Sequence, residues 1–244
     1  MSVTINAAAM DYRELNRSIR EMSKTRQTHI TLNNVNGQRY IGNALQGEEM
    51  VVINGVPGND LGMFIDGPSL IVNGNVQDSA ANTMNNGLLV VGGNAGDTLG
   101  YGMRGGEVYI KGNVGYRAGI HMKEYGLKKP LLVIGGTAGD FLGEYMAGGT
   151  VVVFNLDNEI CPVGDFCGAG MHGGIMLVRG QADLSCYRDL NIIPPDENDL
   201  ELLNMVAVKY ENYFDRMVPA ITGSDYLKII PQNNRPYREL YVGI

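Results

Sequence analysis

Three cysteines and three histidines are the residues of this sequence best suited to metal binding or nucleophilic catalysis. They are Cys161, Cys167, Cys186, His29, His121 and His172. Cys161 and Cys167 are separated by five residues, which is not the ligand spacing of a zinc or iron–sulfur site. An odd number of cysteines in a chain of this length does not make a disulfide framework. We therefore predict packing roles for Cys161 and Cys167, a structural or interface role for His172, and no catalytic or metal-binding residue.

Two glycine-rich runs have the composition of phosphate-binding loops. These are GNAGDTLG (93–100) and GTAGDFLG (136–143), and each follows an apolar, strand-like segment. A dinucleotide site needs a helix N-terminus directly after the glycines, and the sequence predicts no helix there. The chain also contains no GxxxxGK[ST], GxSxG, HExxH or CxxC motif. The sequence therefore predicts no cofactor-binding residue on this chain.

Glycine is the unusual feature of the composition, at 34 of 244 residues. A hydrophobic content of 44% is enough for a core, so the composition excludes a wholly disordered chain. No apolar run is long enough to span a bilayer, and the N-terminus lacks a signal-peptide pattern. The net charge of -7 argues against nucleic-acid binding. We expect a cytoplasmic protein that contacts neither membrane nor nucleic acid.

The glycines fall into a repeat that we number by seven equivalent anchor positions. The anchors are Gln38, Gly58, Gln77, Gly96, Gly115, Gly139 and Gly164. Their spacings are 20, 19, 19, 19, 24 and 25 residues. Four residues after the anchor, six of the seven repeats have glycine, and seven residues after it five have methionine. A period of this size is typical of a solenoid.

Each repeat also contains one short apolar segment, such as MVVIN (50–54) or TVVVF (150–154). Strands that recur once per period stack on one another at about 4.8 Å. The pattern therefore predicts an all-β fold, a single-stranded β-solenoid of about seven coils. A β-sandwich is the main alternative, but it would not require fixed columns over successive repeats. Two repeats are longer than the others, and their extra residues, 123–130 and 155–162, are expected to form surface loops.

The columns predict the inside and the corners of the solenoid. The methionine column is expected to stack in the interior, and glycine is expected at corners because it adopts positive φ at little cost. Aspartates beside the anchors are expected to bond to the turn backbone. The third repeat has Gln77, Ala81 and Asn86 where the others favour glycine, so we expect it to be less regular.

Three regions follow from this pattern: an N-terminal helical cap over 1–29, the β-helix over 30–182, and a C-terminal helix and extended arm over 183–244. The spacing of apolar residues in 11–24 predicts a helix that covers the first coil. Acidic residues behind prolines predict the start of a second helix over 195–214, packed at the other end or along one side.

The repeats at 93–106, 112–125 and 136–149 give the sequence a specific resemblance. GNAGDTLGYGMRGG, GNVGYRAGIHMKEY and GTAGDFLGEYMAGG resemble the GXGXG repeat at the C-terminus of the glutamate synthase large subunit. The resemblance covers nearly the whole chain, so the sequence is similar to the stand-alone form of that domain, also called glutamate synthase domain 3-like. It implies a right-handed β-helix.

The resemblance also implies a function without catalysis by this chain. In glutamate synthases a glutamine amidotransferase releases ammonia, and an FMN-dependent domain uses it to make glutamate from 2-oxoglutarate. The resemblance implies an FMN-binding synthase-like subunit and a class II glutamine amidotransferase subunit as partners, with FMN and an iron–sulfur cluster on the partner. The same β-helix occurs in N-methylglutamate synthase and formylmethanofuran dehydrogenase, which are alternative complexes.

Contacts with partners are expected on loops that break the period and on a polar column. The candidate partner-interface residues are Arg104, Arg117, His121, Lys123, Glu124, Glu144, Tyr145 and His172. An autonomous enzyme would instead need a site on the solenoid face, with carboxylates such as Asp97 and Asp140. Because aspartates recur in successive repeats, hydrogen bonding within turns is the better explanation of those carboxylates.

Overall fold

The computed structural model describes residues 2–25, 29–180 and 190–232. Within these residues the chain forms one 11-stranded sheet and two α-helices. The elements in chain order are β1 (Ser2–Asn6), α1 (Tyr12–Lys24), β2 (His29–Asn36), β3 (Met50–Val56), β4 (Asp66–Asn73), β5 (Asn86–Val91), β6 (Glu107–Ile110), β7 (Leu131–Ile134), β8 (Ala147–Val153), β9 (Gly173–Arg179), β10 (Leu190–Ile193), α2 (Glu197–Phe214) and β11 (Tyr226–Pro231).

Strands β1 to β9 pair in sequence order, and every one of these pairs is parallel. The central residues of the strands keep the same alignment from strand to strand, so that Leu89 pairs with Val108 and Val108 with Leu132. The pairs β2–β3, β4–β5 and β8–β9 each contain one register shift near a strand end. This arrangement confirms the predicted β-solenoid. It has about 6 turns rather than about seven, because seven stacked repeats are separated by six complete turns.

The interior of the solenoid is filled by the predicted apolar columns. The methionine column is buried throughout, from Leu45 in the first repeat to Met171 in the last. A second buried column lies three residues after each anchor and includes Leu61, Ala118 and Cys167. Leu, Met and Ala side chains from successive turns therefore form one continuous core along the axis.

Positive φ occurs at three positions in every repeat, which lie two, four and six residues after the anchor. The middle position is glycine in every repeat except the third. The two outer positions are mostly not glycine, and residues as large as Arg117 and Tyr145 adopt positive φ there. In repeats one to six the backbone N–H of each outer position donates to the next repeat, as from Tyr145 to the Ala169 carbonyl (2.8 Å). In repeats two to seven the N–H of the middle position donates to the previous repeat.

At the anchor column, close approach explains the glycines better than positive φ does. The Asp97 carboxylate accepts a hydrogen bond from Tyr116 N–H in the next repeat (2.8 Å), and a Cβ at Gly115 would overlap the same Asp97 oxygen. Three residues earlier, Asn94 accepts from Asn113 N–H (2.8 Å) beside Gly112. The aspartates therefore bond to backbone as expected, but to the backbone of the neighbouring repeat.

The third repeat has the same geometry as its neighbours, contrary to expectation. Ala81 occupies the usual glycine position with φ 58° and donates its N–H to the Leu61 carbonyl (2.8 Å). An alanine at positive φ costs about 1–2 kcal/mol, which the inter-repeat hydrogen bond and the complete burial of Ala81 offset. Alanine in place of glycine therefore lowers the stability of this repeat without changing its backbone geometry.

The N-terminal end is closed by a strand as well as by the predicted helix. Helix α1 begins after Asp11, whose carboxylate accepts hydrogen bonds from Arg13 N–H (2.7 Å) and Glu14 N–H (2.9 Å). Its buried residues Leu15 and Ile19 join the solenoid core. The edge of β2, however, is covered by β1 and not by α1. The helix therefore closes the interior while the strand satisfies the backbone of the first coil.

At the C-terminal end, helix α2 lies along one side of the sheet. Leu203 and Tyr210 pack on the outer face of the strands with residues such as Val133 and Val152. The Tyr210 hydroxyl donates to the Lys111 carbonyl (2.7 Å). Strands β5 to β9 consequently have apolar residues buried on both faces, which explains the unbroken apolar run Leu131–Ile134.

Residues 226–231 form a strand, where the sequence indicated an extended arm. Strand β11 lies antiparallel to β9 and then pairs with β10, so it ends the parallel ladder. Lys228 in β11 forms ion pairs with Asp196 (2.8 Å) and Asp199 (2.6 Å) at the start of α2. The hydrogen bond from Lys228 holds the pKa of Asp196 below its usual value. The rest of the predicted arm, together with Cys186, lies outside the described residues.

Neither helix of the described chain combines the length and hydrophobicity required to cross a membrane. The proposed boundaries of the three regions, at 29/30 and 182/183, stay predictions.

Two glycine-to-alanine substitutions distinguish the two reasons for a glycine in this fold, namely close approach of a neighbouring repeat and positive φ. Gly173 has ordinary φ, but a Cβ there would overlap the Ala147 carbonyl oxygen, so Gly173→Ala should lower the free energy of unfolding by about 3 kcal/mol. Gly102 has φ +58° and open space around it, since a Cβ added there would lie 3.6 Å from Thr83 Oγ1. Gly102→Ala should therefore cost only about 1–2 kcal/mol. Urea unfolding followed by circular dichroism measures both, and equal losses would contradict this explanation.

Candidate functional site

Two rows of large side chains lie on the corner of the last repeats, and all of them except Tyr101 occupy the outer positions of positive φ. In the first row Phe141 and Phe166 stack with ring centroids 4.9 Å apart and planes at 12°. The Arg117 guanidinium carbon lies 4.5 Å from the centroid of the Phe141 ring. The separation is close to the rise of a parallel ladder, so the solenoid itself places these groups in stacking contact.

The second row runs beside the first and contains Tyr101, His121 and Tyr145. The His121 ring stacks on Tyr145 with centroids 5.3 Å apart and planes at 14°. Tyr101 meets the other side of His121 edge-on, at 5.8 Å. The imidazole is therefore held between two phenol rings, one from the previous repeat and one from the next.

An ion pair joins the two rows. Arg117 Nε donates to Glu144 Oε2 at 2.9 Å, and the Glu144 side chain is only 11% exposed. In the chain, Glu144 ends the turn that begins at Phe141 and comes directly before Tyr145. Because Arg117 also covers the Phe141 ring, one guanidinium fixes the relative position of both rows.

We call this surface the aromatic corner. It consists of Tyr101, Arg117, His121, Phe141, Glu144, Tyr145 and Phe166. Tyr101, Tyr145 and Phe166 are 41%, 48% and 59% exposed, so their burial contributes little to folding. A large residue at positive φ also costs about 1 kcal/mol or more. Stability therefore does not explain this composition, and exposed Tyr, Phe and Arg are characteristic of protein interfaces.

The structure brings together four of the eight predicted interface residues. Arg117, His121, Glu144 and Tyr145 all belong to the aromatic corner. The sequence predicts them as interface residues because partner contacts are expected on loops that break the period and on a polar column. Their contacts show that two successive repeats place them on one surface.

The remaining four predicted residues lie elsewhere. Arg104, Lys123 and His172 share another column, eight residues after the anchor, and the first two side chains are exposed. His172 Nδ1 lies 3.2 Å from the Gly170 carbonyl. Glu124 accepts a hydrogen bond from Gly149 N–H (3.1 Å), so its carboxylate completes the neighbouring turn.

Sequence reasoning missed Tyr101, Phe141 and Phe166. The signal that finds them is positional: Phe141 and Phe166 occupy the column of Arg117, two residues after the anchor. Without the backbone geometry, nothing in the sequence showed that this column points outward with positive φ.

The two described cysteines differ in environment. Cys167 is buried, and burial raises the pKa of its thiol to about 12, in agreement with a packing role. Cys161 is exposed, so the prediction that it is a buried packing residue is wrong. It stands in the longer loop after β8, which lifts it out of the glycine column. Over residues 2–25, 29–180 and 190–232 no three His, Cys, Asp or Glu side chains converge as a metal site.

The fold and the stacked side chains define a parallel solenoid protein with an exposed aromatic face. The GXGXG motif family matches residues 3–193, and the chain belongs to this family. The uncharacterized protein MJ1350 of Methanocaldococcus jannaschii is 42% identical over 252 residues, covering 98% of this chain and 96% of the relative. The chain is thus similar to that protein over practically its full length.

Thiol reactivity provides a test of the cysteine environments. In a Cys186→Ser variant at pH 8, Cys161 should react rapidly with a disulfide reagent, whereas Cys167 should react only after unfolding in guanidinium. A thiol with a pKa of about 12 contains almost no thiolate at pH 8. Absorbance of the released thiolate should show one fast thiol per chain. Two fast thiols would contradict the burial of Cys167.

Proposed function

We propose that this chain is a non-catalytic structural subunit of a glutamate synthase-type complex. An amidotransferase subunit would release ammonia from glutamine, and an FMN-dependent subunit with an iron–sulfur cluster would form glutamate from 2-oxoglutarate. The observation that carries this proposal is the aromatic corner on a solenoid of the GXGXG family. In this proposal the solenoid is a rigid body, and the corner is where a catalytic subunit docks.

The contacts of the most reactive side chains support a structural role. The His121 imidazole is sandwiched between tyrosine rings, and Arg117 is engaged by both Glu144 and Phe141. The Cys167 thiol is protonated by burial. Each of these groups is already engaged in structural contacts, on the surface for His121 and Arg117 and in the core for Cys167.

The geometry offers no support for an autonomous enzyme that uses Asp97 and Asp140. The Asp97 carboxylate accepts Tyr116 N–H (2.8 Å), and the Asp140 carboxylate accepts Asp165 N–H (2.9 Å). Both residues make the same inter-repeat bond, which is a building element of the solenoid. A catalytic carboxylate is normally local to one site, whereas these two are equivalent members of one ladder.

Co-purification tests the proposed assembly. Co-expressed with an FMN-binding synthase subunit and a class II amidotransferase subunit from the same genome, the tagged chain should retain both and carry flavin absorbance. Glutamine-dependent glutamate formation should require the complex, and the isolated chain should show neither colour nor activity. A chain that catalyses the reaction alone would refute the proposal. Retention of molybdenum- or tungsten-containing subunits instead would assign it to formylmethanofuran dehydrogenase, and formation of N-methylglutamate to the related synthase.

Variants of the aromatic corner test the docking surface itself. Tyr145→Ala and Phe166→Ala should each weaken binding of a catalytic subunit at least 10-fold, because exposed aromatic anchors contribute most of an interface's affinity. Their free energies of unfolding should fall by no more than about 1 kcal/mol, because both side chains are about half exposed and only their ring stacking is lost, while alanine keeps the Cβ at positive φ.

Phe64→Ala is the matched control. Phe64 has φ 59°, is 41% exposed and occupies the column of Tyr145, but lies in the second repeat, outside the aromatic corner. Its replacement should leave affinity unchanged in surface plasmon resonance. Equal losses for Phe64→Ala and Tyr145→Ala would exclude the aromatic corner as the docking site.

A further inference from the structure

Helix α1 has a stripe of four exposed cationic side chains, which its role as a cap does not require. They are Arg13, Arg17, Arg20 and Lys24. At 3.6 residues per turn these positions fall within about 60° of arc and extend over about 16 Å. The opposite face of α1, with Leu15 and Ile19, is buried in the solenoid core. Burial of that face fixes the orientation of the stripe relative to the solenoid.

An open groove of about 440 Å³ lies between this stripe and the first repeat. Besides the four cations it is lined by Tyr12, Asn16, Glu21, Tyr40 and Asn43. Asn16 is tied down by two hydrogen bonds, to the Tyr12 carbonyl (2.7 Å) and the Arg39 carbonyl (2.9 Å). The wall of the groove thus has a fixed shape, formed by a helix and a solenoid corner that are bonded to each other.

The charges of the stripe are not neutralised by ion pairs. In the part of the chain that the structure describes, none of Arg13, Arg17, Arg20 or Lys24 lies within ion-pair distance of a carboxylate. Glu14 and Glu21 lie about 90° and 70° around the helix from the centre of the stripe, on one flank of it. The Asp11 carboxylate is occupied by the N–H groups of Arg13 and Glu14. Arg13 Nε donates to the Tyr12 hydroxyl (3.1 Å), which leaves its charge without an ion-pair partner. A row of cations without ion pairs on a chain of net charge -7 is a local reversal of the protein's overall charge.

We propose that this groove binds an acidic helix of a partner protein. Carboxylates spaced four, three and four residues apart on a helix have the same rise and arc as the four cations, so two helices side by side would pair along their length. Three of the four cations are arginines, whose guanidinium groups bind carboxylates in a bidentate manner.

The same contacts disfavour a nucleic acid or a lipid surface. The ring faces that could stack on bases are already covered, because the Arg39 guanidinium lies 5.3 Å from the Tyr12 ring and 5.9 Å from the Tyr40 ring. The net charge of -7 also disfavours binding of a long phosphate backbone. A lipid surface requires an apolar face to insert, and that face of α1 is buried in the core.

This second surface is independent of the proposed function. It lies at the first repeat, whereas the aromatic corner spans repeats four to seven, so about four rises of 4.8 Å, or roughly 19 Å, separate Tyr40 from Arg117. A partner seated on one surface leaves the other open.

A defined acidic helix is the probe for this inference. The probe is an 18-residue, alanine-based peptide with glutamates at positions 3, 7, 10 and 14, labelled for fluorescence anisotropy at 50 mM NaCl. It should bind the full chain at least 10-fold more tightly than a peptide of the same composition with its glutamates spread around the helix. Arg17→Glu/Arg20→Glu should weaken binding at least 10-fold, and 300 mM NaCl should weaken it further.

The matched control is Arg104→Glu/Lys123→Glu, which makes the same change of net charge on another exposed column. It should change affinity less than 3-fold. If the glutamate variant loses its native circular dichroism, Arg17→Gln/Arg20→Gln replaces it, with an expected loss of at least 3-fold. Equal losses in both charge variants, equal binding of the two peptides, or tighter binding of oligo(dT) or phosphatidylserine vesicles would overturn the inference. None of these outcomes bears on co-purification with catalytic subunits.

Discussion

The hydrogen bonds between neighbouring repeats are the interaction on which the rest of the structure depends. Strand pairs form one side of every turn, and at the corners asparagine and aspartate oxygens reach the backbone N–H of the next repeat, as from Asp97 to Tyr116. The side-chain oxygen can come this close only where the residue before the donating N–H has no Cβ, as at Gly115. The high glycine content therefore reflects a requirement for close approach as well as for positive φ.

The same stacking determines what the surface can display. Because turns are superimposed at a fixed rise, any side chain in an outward column stands directly over its equivalents in neighbouring turns. In repeats five to seven these equivalents are Arg117, Phe141 and Phe166, so the column becomes a stacked surface in which Phe141 lies on Phe166. In earlier repeats the same column contains Asp60 and Ser79, and no such surface forms. Function can thus be confined to a few turns of an otherwise uniform body.

Periodicity made the sequence unusually informative about the solenoid and much less informative about its site. The buried columns, including Met103 and Cys167, could be predicted because their spacing is preserved in every repeat. The two helices followed from local patterns, and Asp11 and Asp196 cap them. The antiparallel closure by β11 could not be predicted, since it depends on tertiary pairing across a long sequence separation. Nor could the outward direction of the Phe141 column, which follows from backbone conformation rather than from residue type.

The loop over residues 123–130 adds residues between two strands without changing how those strands pair. Glu107 in β6 still pairs with Leu131 in β7, as if the extra residues were absent. The excess is taken up by a hairpin in which Tyr125 and Lys128 bond to each other. A change in the length of the hairpin between Tyr125 and Lys128 would therefore leave the pairing of β6 with β7 intact.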